Sequence, residues 1–235
     1  MKAAFISEFM SVRAIVIQSL VVFLIVGVLM CAGMQTAVGM VAAIGAMTPL
    51  IMVFSFSAYD NLNGWERFRA MLPLSRNSIV VSRYANILAT ALFAMLAAFV
   101  LSFALASLVS AAMPGSALAN ALAEETARPI VIASSCVEGT GIGLLMAAFL
   151  LPAVLRFGMN KAMRYVPTAI FVVFMLLALA LPNFVEVPPI VANVGTWLEN
   201  PNNLPIAIAA VAALTLGAYA VSCGVALALY RSKDL

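Results

Sequence analysis

The chain has no histidine among its 235 residues. The commonest metal ligand and the commonest general base are therefore missing. Cysteine is scarce, and Cys31, Cys136 and Cys223 each stand alone inside an apolar run. Three scattered thiols make neither a disulfide framework nor a zinc site, and they read as small packing residues. Charge is scarce too. The 12 Lys+Arg and 9 Asp+Glu amount to 9%, against about 25% in an ordinary soluble domain. So few charges cannot clothe a water-soluble surface, which excludes a soluble domain, a disordered chain and a nucleic-acid binder. No G-x-x-x-x-G-K-[ST] stretch occurs, so the chain does not hydrolyse ATP by a P-loop. There is no Ser/His/Asp set and no C-x-x-C. The reading is of a protein that is not an enzyme, with no catalytic residue, no metal site and no cofactor bound directly. Gly139-Thr140-Gly141-Ile142-Gly143 has the look of a nucleotide loop but sits in an apolar run with no preceding strand; Gly139 and Gly143 suit close helix packing.

Apolar residues make up 65% of the chain, and its mean hydropathy is +1.13. A span needs about 20 apolar residues. Ala14 to Phe56 carries no charge over 43 residues, which as one helix would reach about 64 Å, twice the ~30 Å hydrocarbon core. The run must therefore turn back, and Gly33-Met34-Gln35-Thr36 with Gly39 just beyond is the place. Two spans follow, near 14–34 and 37–56, the second with an expected kink at Thr48-Pro49. Further runs at about 85–112, 130–151, 166–183 and 205–230 bring the total to six. The runs are continuous rather than alternating, so they are helices and not barrel strands. The stretch from Ala14 is too long for a signal core and reads as a retained span. The expected fold is a single all-α transmembrane domain over residues 1–235.

Lysine and arginine set its orientation. Eleven of the 12 fall in residues 1–13, 57–84, 152–165 and the tail; Arg128 alone falls in the alternate set, which carries Glu124, Glu125, Glu186 and Glu199 instead. By the positive-inside rule both termini are cytoplasmic. The net charge of +3 and the pI of 8.9 are thus topology signals. The outer loops are small; residues 184–204 suit a short interfacial helix through Trp197.

The inner segments are patterned. In MKAAFISEFMSVR, Phe5, Phe9 and Val12 share one helical face among Lys2, Glu8 and Arg13. This predicts an amphipathic helix lying along the inner membrane surface; the alternative is a plain extension of the first span. In residues 57–84, Trp65, Phe68 and Leu72 fall on one side of a helix and Glu66, Arg67 and Arg69 on the others. Asn63-Gly64 suits its start and Pro73 its end, and Ser75 or Asn77 could cap the helix that follows. Such an element either plugs into a groove on a soluble partner or rests in lipid headgroups.

The run Tyr59-Asp60, Gly64-Trp65-Glu66-Arg67-Phe68, Leu72-Pro73-Leu74-Ser75-Arg76, Ser82-Arg83-Tyr84 resembles the loop between spans two and three of ABC-2-type transporter permeases, the small bacterial six-span subunits in particular. Arg83 stands where many of those have lysine. The resemblance implies that this loop is a coupling helix docked on an ABC ATPase, with Asp60, Asn63, Gly64, Trp65, Glu66, Arg67, Phe68 and Arg69 as its residues. It makes the 152–165 loop a second coupling segment, with Arg156, Phe157, Asn160 and Lys161; positive-inside anchoring explains those charges equally well. It further implies a permease of the bacterial plasma membrane exporting a hydrophobic or amphipathic substrate such as a peptide, drug or lipid. ATP and Mg would sit on the separate ATPase. Two copies, or this chain and a similar one, would pair.

Glu138 is the one ionisable residue well inside a span. Burying it in lipid costs about 2.5–3.5 kcal/mol on insertion scales. It reads as a pathway or gating residue, or as a hydrogen-bonded contact to Ser134, Ser135, Thr140 or a partner subunit. An ion-gradient-driven secondary transporter or channel using Glu138 is the alternative function. Such proteins usually carry several intramembrane ionisable sites, and here there is one.

Overall fold

The computed structural model describes residues 2–62, 75–158 and 203–231. Every regular element among the described residues is helical: α1 (Lys2–Met34), α2 (Ala37–Leu62), α3 (Arg76–Ala112), α4 (Ala117–Thr126), α5 (Pro129–Phe157) and α6 (Leu204–Arg231). Five of the six, α4 excepted, are long and apolar enough to cross a bilayer. The fifth expected span, 166–183, and the outer helix expected through Trp197 lie outside the described residues.

The first turn falls where the apolar run had to break. α1 stops at Met34, Gln35 takes a left-handed backbone with φ 55°, and α2 starts at Ala37. Thr36 Oγ1 accepts from the Val38 N–H at 3.2 Å, as a cap should. α2 is continuous through Pro49. α3 starts on Ser75, whose hydroxyl accepts from the Ser78 N–H at 3.2 Å.

One expectation changes. Residues 2–13 do not form a separate interfacial helix; they are the first turns of one uninterrupted α1. No glycine or proline interrupts the chain between Lys2 and Ile25, and the side that packs inward carries Glu8 and Val12, while Phe9 and Met10 face outward. An addition is α4, a short helix in the small connection between the third and fourth expected spans. Gly115 (φ 81°) makes the turn, Ser116 caps the helix through the Ala119 N–H at 3.1 Å, and Leu122 is buried beneath it.

The long helices extend beyond the apolar runs. α2 reaches Leu62, α3 begins nine residues before Ala85, and α5 runs on to Phe157. At ~1.5 Å per residue each exceeds the ~30 Å hydrocarbon core and projects from it. α2 and α5 form the buried centre. They touch backbone to backbone: a Cβ on Gly139 would lie 2.3 Å from the Ala42 carbonyl oxygen, and one on Gly143 2.5 Å from that of Ala46. Small residues let helices approach this closely where lipid provides no hydrophobic drive to association. Cys31 and Cys136 are buried free thiols and Cys223 is half-buried.

α6 runs parallel to α5, since Thr215 meets Gly141, Ser222 meets Ala148 and Leu229 meets Arg156. One hydrogen-bond chain fixes this pair to α3. Pro152 has no N–H, so the Ala148 carbonyl four residues earlier loses its helical donor. The Ser222 hydroxyl supplies it, at 2.6 Å. With its proton spent there, Ser222 accepts from the Tyr84 hydroxyl at 2.8 Å, and Tyr219 donates to the Tyr84 carbonyl at 3.1 Å.

Candidate functional site

The N-terminal parts of α1 and α3 and the C-terminal ends of α2, α5 and α6 lie at one end of the bundle, where α1, α3 and α5 carry arginine. There Arg83 is 2% exposed. Its Nη2 donates to Asp60 Oδ2 at 2.5 Å, its Nε to Glu8 Oε2 at 3.4 Å, and its guanidinium lies 5.4 Å from the Phe56 ring centroid. Three helices are thereby tied by one side chain: α1 through Glu8, α2 through Asp60 and Phe56, α3 through Arg83 itself. The planar fork of arginine suits this role, because it directs separate donors at two carboxylates while its face covers an aromatic ring. A lysine offers a point charge and no such fork.

One turn along α3, Asn86 repeats the tie to α1. Its Nδ2 donates to the Phe5 carbonyl at 3.2 Å and to the Ser82 carbonyl at 2.9 Å. The N-terminal turns of α1 are therefore held against α3 by a charged contact and a neutral one. This explains why they continue the span instead of lying flat on the membrane.

The position of the clamp in the chain gives it its interest. Asp60 sits at the end of α2, and Arg83 lies in the first turns of α3. Their bond closes the base of the connection between those helices. Asn63, Gly64, Trp65, Glu66, Arg67, Phe68 and Arg69, which sequence reasoning placed in a coupling helix, belong to that connection and lie outside the described residues. Asp60, grouped with them, turns inward to Arg83.

On the second loop, Arg156 Nη1 donates to the Leu229 carbonyl at 3.4 Å. That carbonyl is among the last of α6, where helix C-termini lack internal donors. Phe157 is 62% exposed beside it, and Gly158 (φ 78°) ends α5. Asn160 and Lys161 lie outside the described residues. Glu138 is exposed on α5. Neither expected serine contact forms: Ser134 and Ser135 both donate to the Val131 carbonyl, and the Thr140 hydroxyl is buried without a partner. No group of three metal-ligating side chains occurs among the described residues.

Sequence reasoning missed two carboxylates. Glu8 read as one polar residue of an amphipathic helix; the signal was that no other acid precedes Asp60, which leaves a lone carboxylate at an arginine-rich end. Glu125 read as outer-loop charge. Its two oxygens accept from Thr36 Oγ1 at 2.5 Å and from the Ala37 N–H at 2.7 Å, capping α2 from 88 residues away.

Comparison with curated proteins and with solved structures gives no match. A family model described as ABC-2 family transporter protein matches residues 5–231, nearly the whole chain. With its bundle of apolar helices long enough to cross a bilayer several times, the chain is a multi-pass membrane protein of the ABC-2 transporter family.

Proposed function

We propose that the chain is the permease subunit of an ATP-driven exporter in a bacterial plasma membrane, worked by a separate ABC ATPase docked on its arginine-bearing, cytoplasmic end. The cargo is hydrophobic or amphipathic. A second copy or a similar chain completes the route.

The observation that carries this reading is the Arg83 clamp. A loop that merely rested in headgroups would need no buried ionic tie at its base. A loop that is pushed has to pass the push on without its stems splaying. Arg83 joins both stems and adds α1, so displacement of residues 63–74 is delivered to three helices as one body. The Tyr84–Ser222–Ala148 chain, beginning one residue later, extends the same connection to α5 and α6. The parallel course of α5 and α6 supports a return crossing between them, and residues 166–183 are the apolar run available for it. A six-span subunit with both termini inside is the arrangement this reading takes.

The test is functional coupling. The full chain, purified with the ATPase that accompanies it, is reconstituted and compared with Trp65→Ala and Gly64→Pro. Both variants should keep a monodisperse elution profile and lose transport-linked ATP use. Wild-type coupling in both removes the docking role. Reaction of a cysteine at position 65 with an impermeant thiol reagent only from outside the cell would reverse the orientation and sink the reading.

A further inference from the structure

Glu138 lies in a stripe of α5 that the described helices leave uncovered. On one flank Gly139 and Gly143 press against α2; on the other Gly141 and Ala148 meet α6. Between them Glu138, Ile142, Leu145, Met146 and Phe149 follow one another at helical spacing, and all are exposed. Glu138 is nine residues in from Pro129, or ~14 Å along the axis, a depth within the hydrocarbon layer. Among the described residues it has neither a hydrogen bond nor an ion pair.

A carboxylate at that depth does not rest on acyl chains; it faces a watered route or a positive group. The apolar runs of the sequence offer no positive group. Lysine and arginine are absent from residues 14–66, 84–127, 129–155 and 165–230, and there is no histidine. Arg128 lies ~15 Å up the helix, exposed beside Glu124 at 3.8 Å. A second copy brought against this face would carry the same sequence, and so no cation either. The remaining outer acid of the described residues, Glu125, is engaged with Thr36 and Ala37.

We infer that the Glu138 stripe is a wall of the transport route and binds a lipophilic cation, a compound joining an ammonium-like or phosphonium-like centre to an apolar body. Glu138 meets the charge. Ile142, Met146 and Phe149 cover the apolar part, with the methionine thioether adapting to its shape. The inference rests on the exporter reading for the existence of a route, and it narrows the cargo from hydrophobic compounds at large to those bearing positive charge.

The test is equilibrium binding of radiolabelled tetraphenylphosphonium, with neutral triphenylphosphine oxide as control, to the full chain in nanodiscs with its ATPase. The wild type should bind the cation saturably and prefer it to the neutral compound. Glu138→Gln, which keeps size and fold, should lose about tenfold or more in affinity for the cation, a carboxylate's contribution at low effective dielectric, and leave the neutral compound unaffected. Met146→Trp should obstruct both ligands, whereas Glu124→Gln should alter neither. Equal cation affinity in wild type and Glu138→Gln overturns the inference, as does quantitative copy-to-copy crosslinking through Ile142→Cys, which would make a second subunit the occupant. The two readings fail separately. ATP-driven transport of neutral cargo that ignores Glu138→Gln leaves the exporter and removes the cation site. Glu138-dependent cation binding by a chain that no ATPase joins keeps the site and removes the exporter.

Discussion

Replacing Arg83 with methionine removes the charge and keeps much of the volume. Glu8 and Asp60 then lose that cation, and their side chains are only 4% and 15% exposed. Breaking a buried ion pair by deleting one partner costs about 3–5 kcal/mol, because the stranded charge has lost its water and gained nothing. The Glu8 contact is long at 3.4 Å and Asp60 retains some access to solvent, so the lower half of that range is expected, about several hundredfold in the folded-to-unfolded ratio. Arg83→Lys should sit between, since one point charge cannot serve both carboxylates; the hydrogen bond forfeited is worth about 1.5–3 kcal/mol. The decisive variant is the triple change Glu8→Gln, Asp60→Asn, Arg83→Met, which removes all three charges together and should recover most of the loss. The protein supplies its own reporter. Cys31 and Cys136 are buried, so a fluorogenic thiol dye reads unfolding as temperature rises. The expected order of melting temperature is wild type, then the triple variant and Arg83→Lys, then Arg83→Met. A single Arg83→Met as stable as wild type, or a triple variant less stable than the single one, would refute the reasoning that stranded charge is the cost.

Three further outcomes follow from the packing. Gly139→Ala places a methyl 2.3 Å from the Ala42 carbonyl oxygen, so α2 and α5 must separate, at about 1–3 kcal/mol or more; Gly33→Ala, which meets no atom within 4 Å, should leave the melting temperature unchanged or slightly raised, and equal effects of the two would discredit the close crossing. Ser222→Ala orphans the Ala148 carbonyl and should cost about 1–3 kcal/mol, whereas adding Pro152→Ala restores an N–H in register and should return much of it; a double-mutant cycle with no coupling would disprove the pairing. Glu125→Ala removes the long-range cap of α2 and should cost about 0.5–2 kcal/mol, while Glu124→Ala, at an exposed pair, should be silent in the same melting assay.

Much of this protein was legible from one-dimensional pattern. A 43-residue uncharged stretch has to fold back on itself whatever its tertiary contacts, and the turn falls at Gln35 because that is where polar residues interrupt the run. Ser75 could be read as a cap, and Gly139 and Gly143 as a close-packing face, because both depend on spacing within a single helix. The α1 amphipathic helix was misjudged for a related reason. Phe5, Phe9 and Val12 do share a face, but whether that face seeks lipid headgroups depends on what the neighbouring turn finds, and Glu8 finds Arg83.

What lies between helices was hidden. Local periodicity states which residues share a side; it does not state the rotation or vertical register at which two helices meet. In a bilayer this gap is wide, since apolar side chains gain little by leaving lipid for one another and the pairing is decided by packing and by a few polar contacts. Glu125 capping α2, Ser222 completing the turn that Pro152 opens, and Arg83 gathering Asp60 and Glu8 are all of this kind. The sequence alone determined that the chain crosses a membrane repeatedly and where its charges congregate. Only the tertiary structure decided that Arg83, Asp60 and Glu8 are spent holding the bundle together while Glu138 faces outward, because partnership between buried ions is a matter of distances that no spacing along the chain encodes.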